Sequence, residues 1–373
     1  MILTLNAGSS SLKWSLFDAD LAELDTGLFE RLGEGRTHEA ALTELFALLS
    51  DAGRLTGLQA VAHRVVHGGE AFREPVRITT EVEKAIERLS PLAPLHNPVN
   101  LAGIRAARQV LAEADVDVPH VAVFDTAFHA TLPEYAYRYA VPEAWYTEHN
   151  VRRYGFHGTS HAYVSAEARR VLAKADRPHR KMVTLHLGNG ASAAAILDGI
   201  CVDTSMGLTP LEGLMMGTRP GQVDPGMAAY LAAQGVAVED QERALNKESG
   251  LLAIGGTNDV RQLLSERTSG SLSAKLALQM FVYRIRKTVG AYAAAMDGLD
   301  ALVFTAGIGE NSSDVRAEVC AGLTSFGVSL DSEQNGLRSG EARMISRGET
   351  SVLVVPTNEE LAMARAAQNL LEG

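Results

Sequence analysis

Cysteine is scarce in this chain of 373 residues, which contains only Cys201 and Cys320. Two cysteines are too few for a disulfide framework, and their wide separation excludes the CxxC spacing of a zinc or redox site. We therefore expect both side chains to be buried as small apolar groups.

Positive charge and long apolar runs are also in short supply. The chain has 34 basic and 45 acidic residues and a formal net charge of −11, so we expect neither nucleic acid nor an anionic membrane surface as a partner. The longest segments without a formal charge, 89–104 and 182–197, reach only 16 residues and contain Pro, Asn, His or Gly. They predict no membrane span, and the N-terminus lacks the basic region of a secretory signal. We expect a cytoplasmic location.

Apolar runs alternate with helical patterns along a chain whose length predicts two domains. Six runs read as strands: ILTLNAG, AVAHRVVHGG, HVAVFDTAF, MVTLHLGNG, ALVFTAGIG and VLVVPTN. The clearest helical patterns begin at Thr37, Thr159, Ser271 and Thr357, and Thr357 precedes Glu360 by the spacing of a capping box. Alternating strands and helices predict an α/β protein.

One pattern occurs twice, as LTLNAGSSSLKWSLFD at 3–18 and TLHLGNGASAAAILDG at 184–199. Each copy reads as a strand, a turn rich in small residues and a second strand, and the same offset separates Gly8 from Gly188 and Asp18 from Asp198. The repeat favours a duplicated domain. Two unrelated hairpins with Gly-rich turns remain the alternative.

Three Gly-rich turns suit phosphate. Residues 6–13, NAGSSSLK, combine hydroxyls, backbone amides and an ammonium group, although the P-loop pattern is absent and a plain polar hairpin remains the alternative. Residues 186–190, HLGNG, are the counterpart, and together the two turns would hold a polyphosphate between two domains. Residues 307–311, GIGEN, follow a buried strand and precede Ser312, which we expect to cap a helix.

The segment 203–226 contains five glycines and three prolines and has no regular period. Long irregular segments inside domains are usually functional. Its only cation is Arg219, whose guanidinium could clamp a transferring phosphoryl group. The alternative is an ion pair with Asp224 or Glu212 that holds the loop.

Two other strand ends carry charged or titratable residues. Arg64 favours a bidentate oxyanion such as a carboxylate, whereas His63 and His67 are better explained as structural histidines. Asp125 and His129 end the strand FDTAFH.

His157 and His161 open a helix four residues apart. HExxH is absent and no third ligand is evident, so zinc is disfavoured. We expect His157 to donate to a phosphoryl oxygen instead.

Taken together, the strings NAGSSSLK, HRVVHGGE, FDTAFH, RRYGFHGTSH, HLGNGAS, DTSMGLTPLEGLMMGTR, GIGEN and TNEE resemble the acetate kinase family, in the family's order from residue 3 to residue 365. The resemblance implies two duplicated ribonuclease H-like domains of the actin-like ATPase type, with a nucleotide cleft between them. It places an acyl-substrate and phosphate domain at 1–150, completed by the C-terminal helix 357–373. A nucleotide-binding and dimerisation domain would span 151–356.

The resemblance also assigns roles to single residues. The magnesium ligands would be Asn6 and Glu359, and the catalytic residues would be Asp125, His157 and Arg219. The acyl substrate would meet Arg64 as its carboxylate clamp and Val66, Leu95 and Pro210 as its apolar pocket. The nucleotide and its phosphates would meet Ser9, Ser11, Lys13, His186, Leu187, Gly188, Asn189, Gly190, Asp259, Val260, Arg261, Gly307, Ile308, Gly309, Glu310 and Asn311. Because acetate needs no base, we expect Asp125 to orient Arg219, His157 or metal-bound water.

The reaction implied is transfer of the γ-phosphoryl group of ATP to acetate, giving ADP and acetyl phosphate, with Mg²⁺, or Mn²⁺ in its place, in a homodimer. Val66 favours acetate over propionate, and a propionate kinase of the same family is the nearest alternative. An actin-like or Hsp70-like ATPase, or a nucleotide sensor without catalysis, is more distant. The chain departs from the family's pattern by its shorter stretch between 18 and 60 and by Pro220 and Gln222.

Overall fold

The computed structural model describes residues 1–8, 10–32 and 36–372. Ser9, predicted for the first phosphate loop, lies outside the described residues. The strands are β1 Ile2–Ala7, β2 Ser11–Phe17, β3 Glu23–Glu30, β4 Ala60–Val65, β5 Val76–Arg77, β6 His120–Phe124, β7 Lys181–Leu187, β8 Ala191–Leu197, β9 Ile200–Thr204, β10 Ala301–Thr305, β11 Arg343–Met344 and β12 Ser351–Val354.

Helices fill most of the intervals between the strands. They are α1 His38–Asp51, α2 Thr80–Arg88, α3 Asn97–Glu113, α4 Glu134–Tyr137, α5 Glu143–His149, α6 Gly158–Lys174, α7 Gly226–Ala233, α8 Val238–Lys247, α9 Gly250–Gly255, α10 Val260–Thr268, α11 Leu272–Ala295, α12 Ala306–Asn311, α13 Ser313–Ala321, α14 Ser332–Gly336 and α15 Glu359–Glu372. The six strands and four helices expected from the sequence are all present.

The chain divides into two compact units. Unit 1 comprises the described residues of Met1–Ala130, Gly158–Ser160 and Asn358–Gly373, and unit 2 comprises Thr131–His157 and His161–Thr357. The functional domains predicted at 1–150 with 357–373 and at 151–356 stay a prediction.

Each unit contains a six-stranded sheet of the same design. The strand orders are β3-β2-β1-β4-β6-β5 in unit 1 and β11-β12-β10-β7-β8-β9 in unit 2. In both sheets the first three strands of the unit are antiparallel, and the first strand also pairs in parallel with the next long strand. This agreement confirms the duplication that the repeated Gly-rich turns predict.

Both faces of the unit 1 sheet are covered by helices, which explains why almost every side chain of β4 and β6 is buried. One face packs against α1 and α3 around Leu42, Leu45 and Ala107. The other face packs against α15 through Met363 and Ala364. Parallel strands β1, β4 and β6 thereby bring their carboxyl ends to one edge of a rigid sheet.

Side-chain caps explain several helix starts, with two corrections to the sequence predictions. Ser271 and Ser312 cap α11 and α13 as expected. The C-terminal helix begins at Glu359, one residue later than a cap at Thr357 predicts, and Asn358 accepts a hydrogen bond from the Leu361 amide at 2.9 Å. Residues 307–311 were expected to form a turn, but they belong to the short helix α12.

The cysteines are buried, as the sequence predicts. Cys201 and Cys320 are both reduced thiols, and burial raises the pKa of the Cys320 thiol to about 12. Among the described residues, the helices all fall short of the length and apolar character that a membrane crossing requires.

Candidate active site

Three predicted residues meet at the carboxyl edge of the unit 1 sheet, where β1, β4 and β6 end. The Arg64 guanidinium donates to the Asp125 carboxylate through two nitrogens, Nε to Oδ1 at 2.9 Å and Nη2 to Oδ2 at 2.6 Å. Its Nη1 donates to Asn6 Oδ1 at 3.3 Å. Strand ends of this kind are where open α/β sheets bind ligands.

Asp125 is fully buried, and Arg64 is its partner in unit 1. We expected the carboxylate to orient Arg219, His157 or metal-bound water, whereas the structure shows it holding the predicted substrate clamp. Burial opposes the charged form of Arg64, but Asp125 outweighs this effect and raises the Arg64 pKa above its ordinary value. The guanidinium is therefore a fixed positive charge.

Acidic side chains from the start of α15 join this cluster. Burial raises the pKa of Glu359. The positive charge of Arg64 opposes this rise, and the negative charges of Asp125 and Glu360 add to it. Glu360 forms an ion pair with Lys13 at 2.8 Å, so the ammonium predicted to meet phosphate is held at the same edge.

The donor set of Asn6 and Glu359 fits Mg²⁺. Both side chains offer oxygen, which is the ligand type that Mg²⁺ prefers, and the raised pKa of Glu359 marks a carboxylate that a cation would stabilise. The described residues contain no group of three or more His, Cys, Asp or Glu side chains able to hold a metal on their own. Mg²⁺ commonly completes its shell with water and substrate phosphates.

The residues predicted for the acyl pocket are in different settings. Val66 is buried directly after β4, and its amide donates to Asn100 Oδ1 at 3.1 Å. Leu95 is 52% exposed before α3. Pro210 belongs to the irregular segment of unit 2, where its carbonyl accepts a hydrogen bond from Arg219 Nη1 at 2.7 Å. A pocket made by these residues stays a prediction.

In unit 2, His157 and Arg219 meet at the HLGNG turn. An ideal Cβ built on Gly190 would lie 2.7 Å from Arg219 Nη2 and 3.3 Å from His157 Nε2. The His157 ring stacks on His186, with centroids 4.2 Å apart. Glycine at 190 therefore allows the guanidinium and the imidazole to approach the same stretch of backbone.

The alternative of an ion pair that holds the 203–226 loop is wrong for Arg219. Glu212 pairs with Arg153 at 2.7 Å, and Asp224 accepts from the Gly226 amide. Among the described residues, Arg219 has no recorded ion pair, and burial lowers its pKa. Within the described residues, the Arg219 side chain donates one hydrogen bond, from Nη1 to the Pro210 carbonyl.

A pocket of about 570 Å³ in unit 2 joins the three predicted nucleotide segments. Its lining includes predicted residues Gly188, Asn189, Asp259, Val260, Arg261, Gly307, Ile308 and Asn311, with Asn258, Leu264, Ser312, Asp314 and Arg338 completing it. Asp259 caps α10 and pairs with the Arg261 side chain, whose hydrogen bonds lower the pKa of Asp259 to about 2. Sequence segments more than 100 residues apart thus share one cavity.

Other predicted residues of these segments lie outside the lining of this pocket. Gly309 and Glu310 lie in α12, and His186 and Leu187 end β7. Ser11 begins β2, where its carbonyl accepts from the Gly8 amide at 2.8 Å.

A slightly larger pocket, of about 640 Å³, lies in unit 1 away from the predicted site residues and is lined by 115–119, Ile78, Arg108, Ala112 and His120. His120 Nδ1 and His63 Nε2 form a 2.8 Å hydrogen bond in its wall, and burial lowers both pKa values. This pair confirms the structural interpretation of His63. Because none of the described residues predicted for the site lines this pocket, we assign the candidate site to the sheet edge at Arg64 and to the 570 Å³ pocket of unit 2.

A sequence profile of the acetokinase family matches residues 29–365. The chain belongs to the acetokinase family. It is 49% identical to an acetate kinase from Deinococcus radiodurans, over all of this chain and 98% of that protein. It is 50% identical to an acetate kinase from Arthrobacter sp. (strain FB24), over 98% of this chain and 97% of that protein.

Solved structures of the family agree with the fold. A propionate kinase from Francisella tularensis superposes with a TM-score of 0.92 at 40% identity, covering 99% of both chains. An acetate kinase from Porphyromonas gingivalis superposes with a TM-score of 0.91 at 41% identity, again over 99% of both chains. The two-sheet α/β fold implied by the resemblance is therefore confirmed.

Sequence reasoning missed Arg316, a residue that supports helix α12 in the wall of the 570 Å³ pocket. Arg316 is only 2% exposed, and its Nη1 donates to the carbonyls of Gly309 and Glu310 at 2.9 and 2.8 Å. Its Nε and Nη2 donate to Asn335, and burial lowers its pKa to about 10. An arginine between the buried Val315 and Val319 of α13 is the signal that could have identified it.

Proposed function

We propose that this chain transfers the γ-phosphoryl group of ATP to acetate, in line and without a covalent enzyme intermediate, giving ADP and acetyl phosphate reversibly. The observation that carries the proposal is the Arg64 guanidinium, which Asp125 fixes at a ligand-binding sheet edge. Within the described residues, its hydrogen bonds to Asp125 and Asn6 use three of its five N–H groups. Two remain for a carboxylate substrate.

The acceptor itself needs little activation. Acetate is ionised at neutral pH, since carboxyl groups titrate near pH 4, so no general base is required. The barrier instead comes from bringing an anionic carboxylate to an anionic phosphoryl group. We assign Arg64 to the acetate carboxylate and Asp125 to holding Arg64 in place.

We assign the remaining roles residue by residue. Asn6 and Glu359 would hold Mg²⁺, which when bound would neutralise charge on the phosphate oxygens. Lys13 and Ser11 would meet the phosphate chain from unit 1. From unit 2, Arg219 and His157 would donate hydrogen bonds to the transferring phosphoryl group, where negative charge develops.

The nucleotide is assigned to the 570 Å³ pocket of unit 2. Its lining combines apolar groups such as Ile308 and Leu264 with convergent polar groups such as Asn258 and Asn189, which suits a base and a sugar. Residues 307–311 of helix α12 would contact the nucleotide.

Propionate kinase activity is the second candidate, favoured by the close superposition on a propionate kinase. Val66 is buried beside the Arg64 position, and one methylene in an apolar pocket changes kcat/KM only about 10 to 200-fold. We expect acetate to have the higher kcat/KM. Equal values for the two acids would overturn that preference.

The assembly and location predicted from the sequence remain proposals. We propose a homodimer through the second domain. Helix α11 has a buried face, yet Leu272 and Tyr283 are 80% and 57% exposed, which supports a role for its other face in association. The cytoplasmic location stays a prediction.

A hydroxamate assay tests the activity. ATP, Mg²⁺, acetate and hydroxylamine are incubated with the protein, and acetyl hydroxamate is measured with ADP. We expect the two products in equal amounts and neither without acetate. Acetate-independent release of phosphate would indicate an ATPase, and nucleotide binding without turnover would indicate a sensor.

A further inference from the structure

A buried chain of hydrogen bonds leads from β7 to His157. Thr184 Oγ1 and His161 Nδ1 are 2.7 Å apart, His161 Nε2 and Ser192 Oγ are 2.8 Å apart, and Ser192 Oγ and His157 Nδ1 are 2.9 Å apart. Thr184, His161 and Ser192 are each 0% exposed. These hydrogen bonds therefore connect a rigid sheet to the His157 ring, which we assign to the transferring phosphoryl group.

The stacking of His157 on His186 does not by itself fix the direction of the ring. A half-turn about the Cβ–Cγ bond leaves the ring plane in place but exchanges Nδ1 with Cδ2 and Nε2 with Cε1, and this torsion is broadly two-fold for histidine. The bond to Ser192 removes the ambiguity, because only one of the two orientations presents a nitrogen to the hydroxyl.

The Ser192 hydroxyl has one proton and two lone pairs, so it can either donate to His157 Nδ1 or accept from it. If Ser192 donates to His157 Nδ1, the neutral ring carries its proton on Nε2. If His157 donates to Ser192, an N–H on Nε2 requires the imidazolium form. In either direction Nε2 is the nitrogen that lies beside Gly190 and Arg219.

We propose that Ser192, itself held by His161, is a positioning residue that aims His157 Nε2 at the transferring phosphoryl group. The expected effect on kcat rests on the proposed function, whereas the fixed orientation of the His157 ring rests on the hydrogen bonds. Outer partners that orient a metal-binding histidine commonly contribute about 10 to 100-fold to affinity or activity, and we expect an effect of that order for His157. Ser192 belongs to the alanine-rich strand ASAAAIL, where it is the only polar side chain.

The kinetic test uses a matched pair at His161. Glutamine places its amide nitrogen near the position of Nε2 and retains a partner for Ser192, whereas asparagine places it near Nδ1 and retains a partner for Thr184. We expect Ser192→Ala and His161→Asn to lower kcat at least tenfold with KM for ATP unchanged, and His161→Gln to keep most of the activity. Equal losses in the Asn and Gln variants, or a wild-type kcat in Ser192→Ala, would overturn the proposal.

A spectroscopic test does not depend on turnover. In protein labelled with ¹⁵N-histidine, the His157 ring signals are assigned as those missing from His157→Asn. We expect one fixed tautomer in the wild type and averaged ring shifts in Ser192→Ala or, if that variant does not fold, in His161→Asn. Unchanged ring shifts would refute the positioning role. If the wild type makes no acetyl phosphate but the shifts change, the proposed function fails and the positioning of His157 stands.

Discussion

At the scale of single residues, the site depends on a few polar contacts between side chains distant in sequence. Arg64 and Asp125 are 61 positions apart, and their two-pronged ion pair could not be read from either motif. The strings HRVVHGG and FDTAFH predict that both residues end strands. They leave open which carboxylate, phosphate or metal each one meets, because pairing depends on the order of strands in the sheet.

Asp125→Asn tests the ion pair. The amide keeps the size of the side chain but removes the charge that holds Arg64, so we expect kcat for acetyl phosphate formation to fall about 100 to 1,000-fold, as for loss of a preorganised charge-stabilising contact. Asp198→Asn is the control, since Asp198 pairs with Arg180 at the surface. Steady-state rates within tenfold of wild type for Asp125→Asn would refute the assigned role.

Gly190→Ala tests the meeting of Arg219 and His157. The new methyl group would lie 2.7 Å from Arg219 Nη2, too close for contact, so the guanidinium must move away. We expect a loss of kcat of at least tenfold with a normal melting temperature. Gly336→Ala, where an added Cβ meets nothing within 4 Å, is the matched control. A fully active Gly190→Ala enzyme would contradict the arrangement.

At the scale of elements, apolar periodicity predicts strands and helices well, whereas turn geometry is set by contacts that the local sequence does not contain. Residues 307–311 look like a Gly-rich turn, but Glu310 Oε1 accepts from the amides of Ala306 and Thr357 at 2.8 and 3.0 Å. Together with Arg316, these bonds satisfy the ends of α12 and make a helix of it.

Arg316→Lys tests the support of α12. Lysine keeps the charge but cannot donate to Gly309, Glu310 and Asn335 together. We expect KM for ATP to rise about tenfold while kcat at saturating ATP changes little, together with a loss of about 1 to 3 kcal/mol in the free energy of unfolding. An unchanged KM for ATP would show that α12 does not depend on this clamp.

The His63–His120 pair connects β4 to β6 and makes the stability of the fold depend on pH. Both pKa values are lowered by burial, that of His120 to about 4, while histidine in the unfolded chain titrates near 6.5. The unfolded state therefore binds more protons in this range, so the free energy of unfolding should decrease as pH falls from 6.5 toward 4. Urea unfolding of the double variant His63→Gln, His120→Gln should show a smaller slope over that range; an identical slope would rule the pair out as its source.

At the scale of the whole molecule, the sequence predicts the class of fold, its duplication and its family, because long motifs and a repeated hairpin survive in the chain. The repeat of Gly8 at Gly188 corresponds to two sheets with the same strand order. Positions such as Arg316 and Ser192 escaped prediction because neither belongs to a recognisable local pattern, and the partners of each come mainly from other elements. The roles of the site residues remain proposals on this fold.

The central claim is that one phosphoryl group of ATP is transferred to a carboxylate oxygen of acetate. The most direct measurement is ³¹P NMR of a reaction with [¹⁸O₂]acetate, ATP and Mg²⁺. Attack by the carboxylate on phosphorus predicts acetyl phosphate with ¹⁸O bonded to phosphorus, formed in equal amount with unlabelled ADP. Formation of AMP, or of inorganic phosphate in place of acetyl phosphate, would contradict the account.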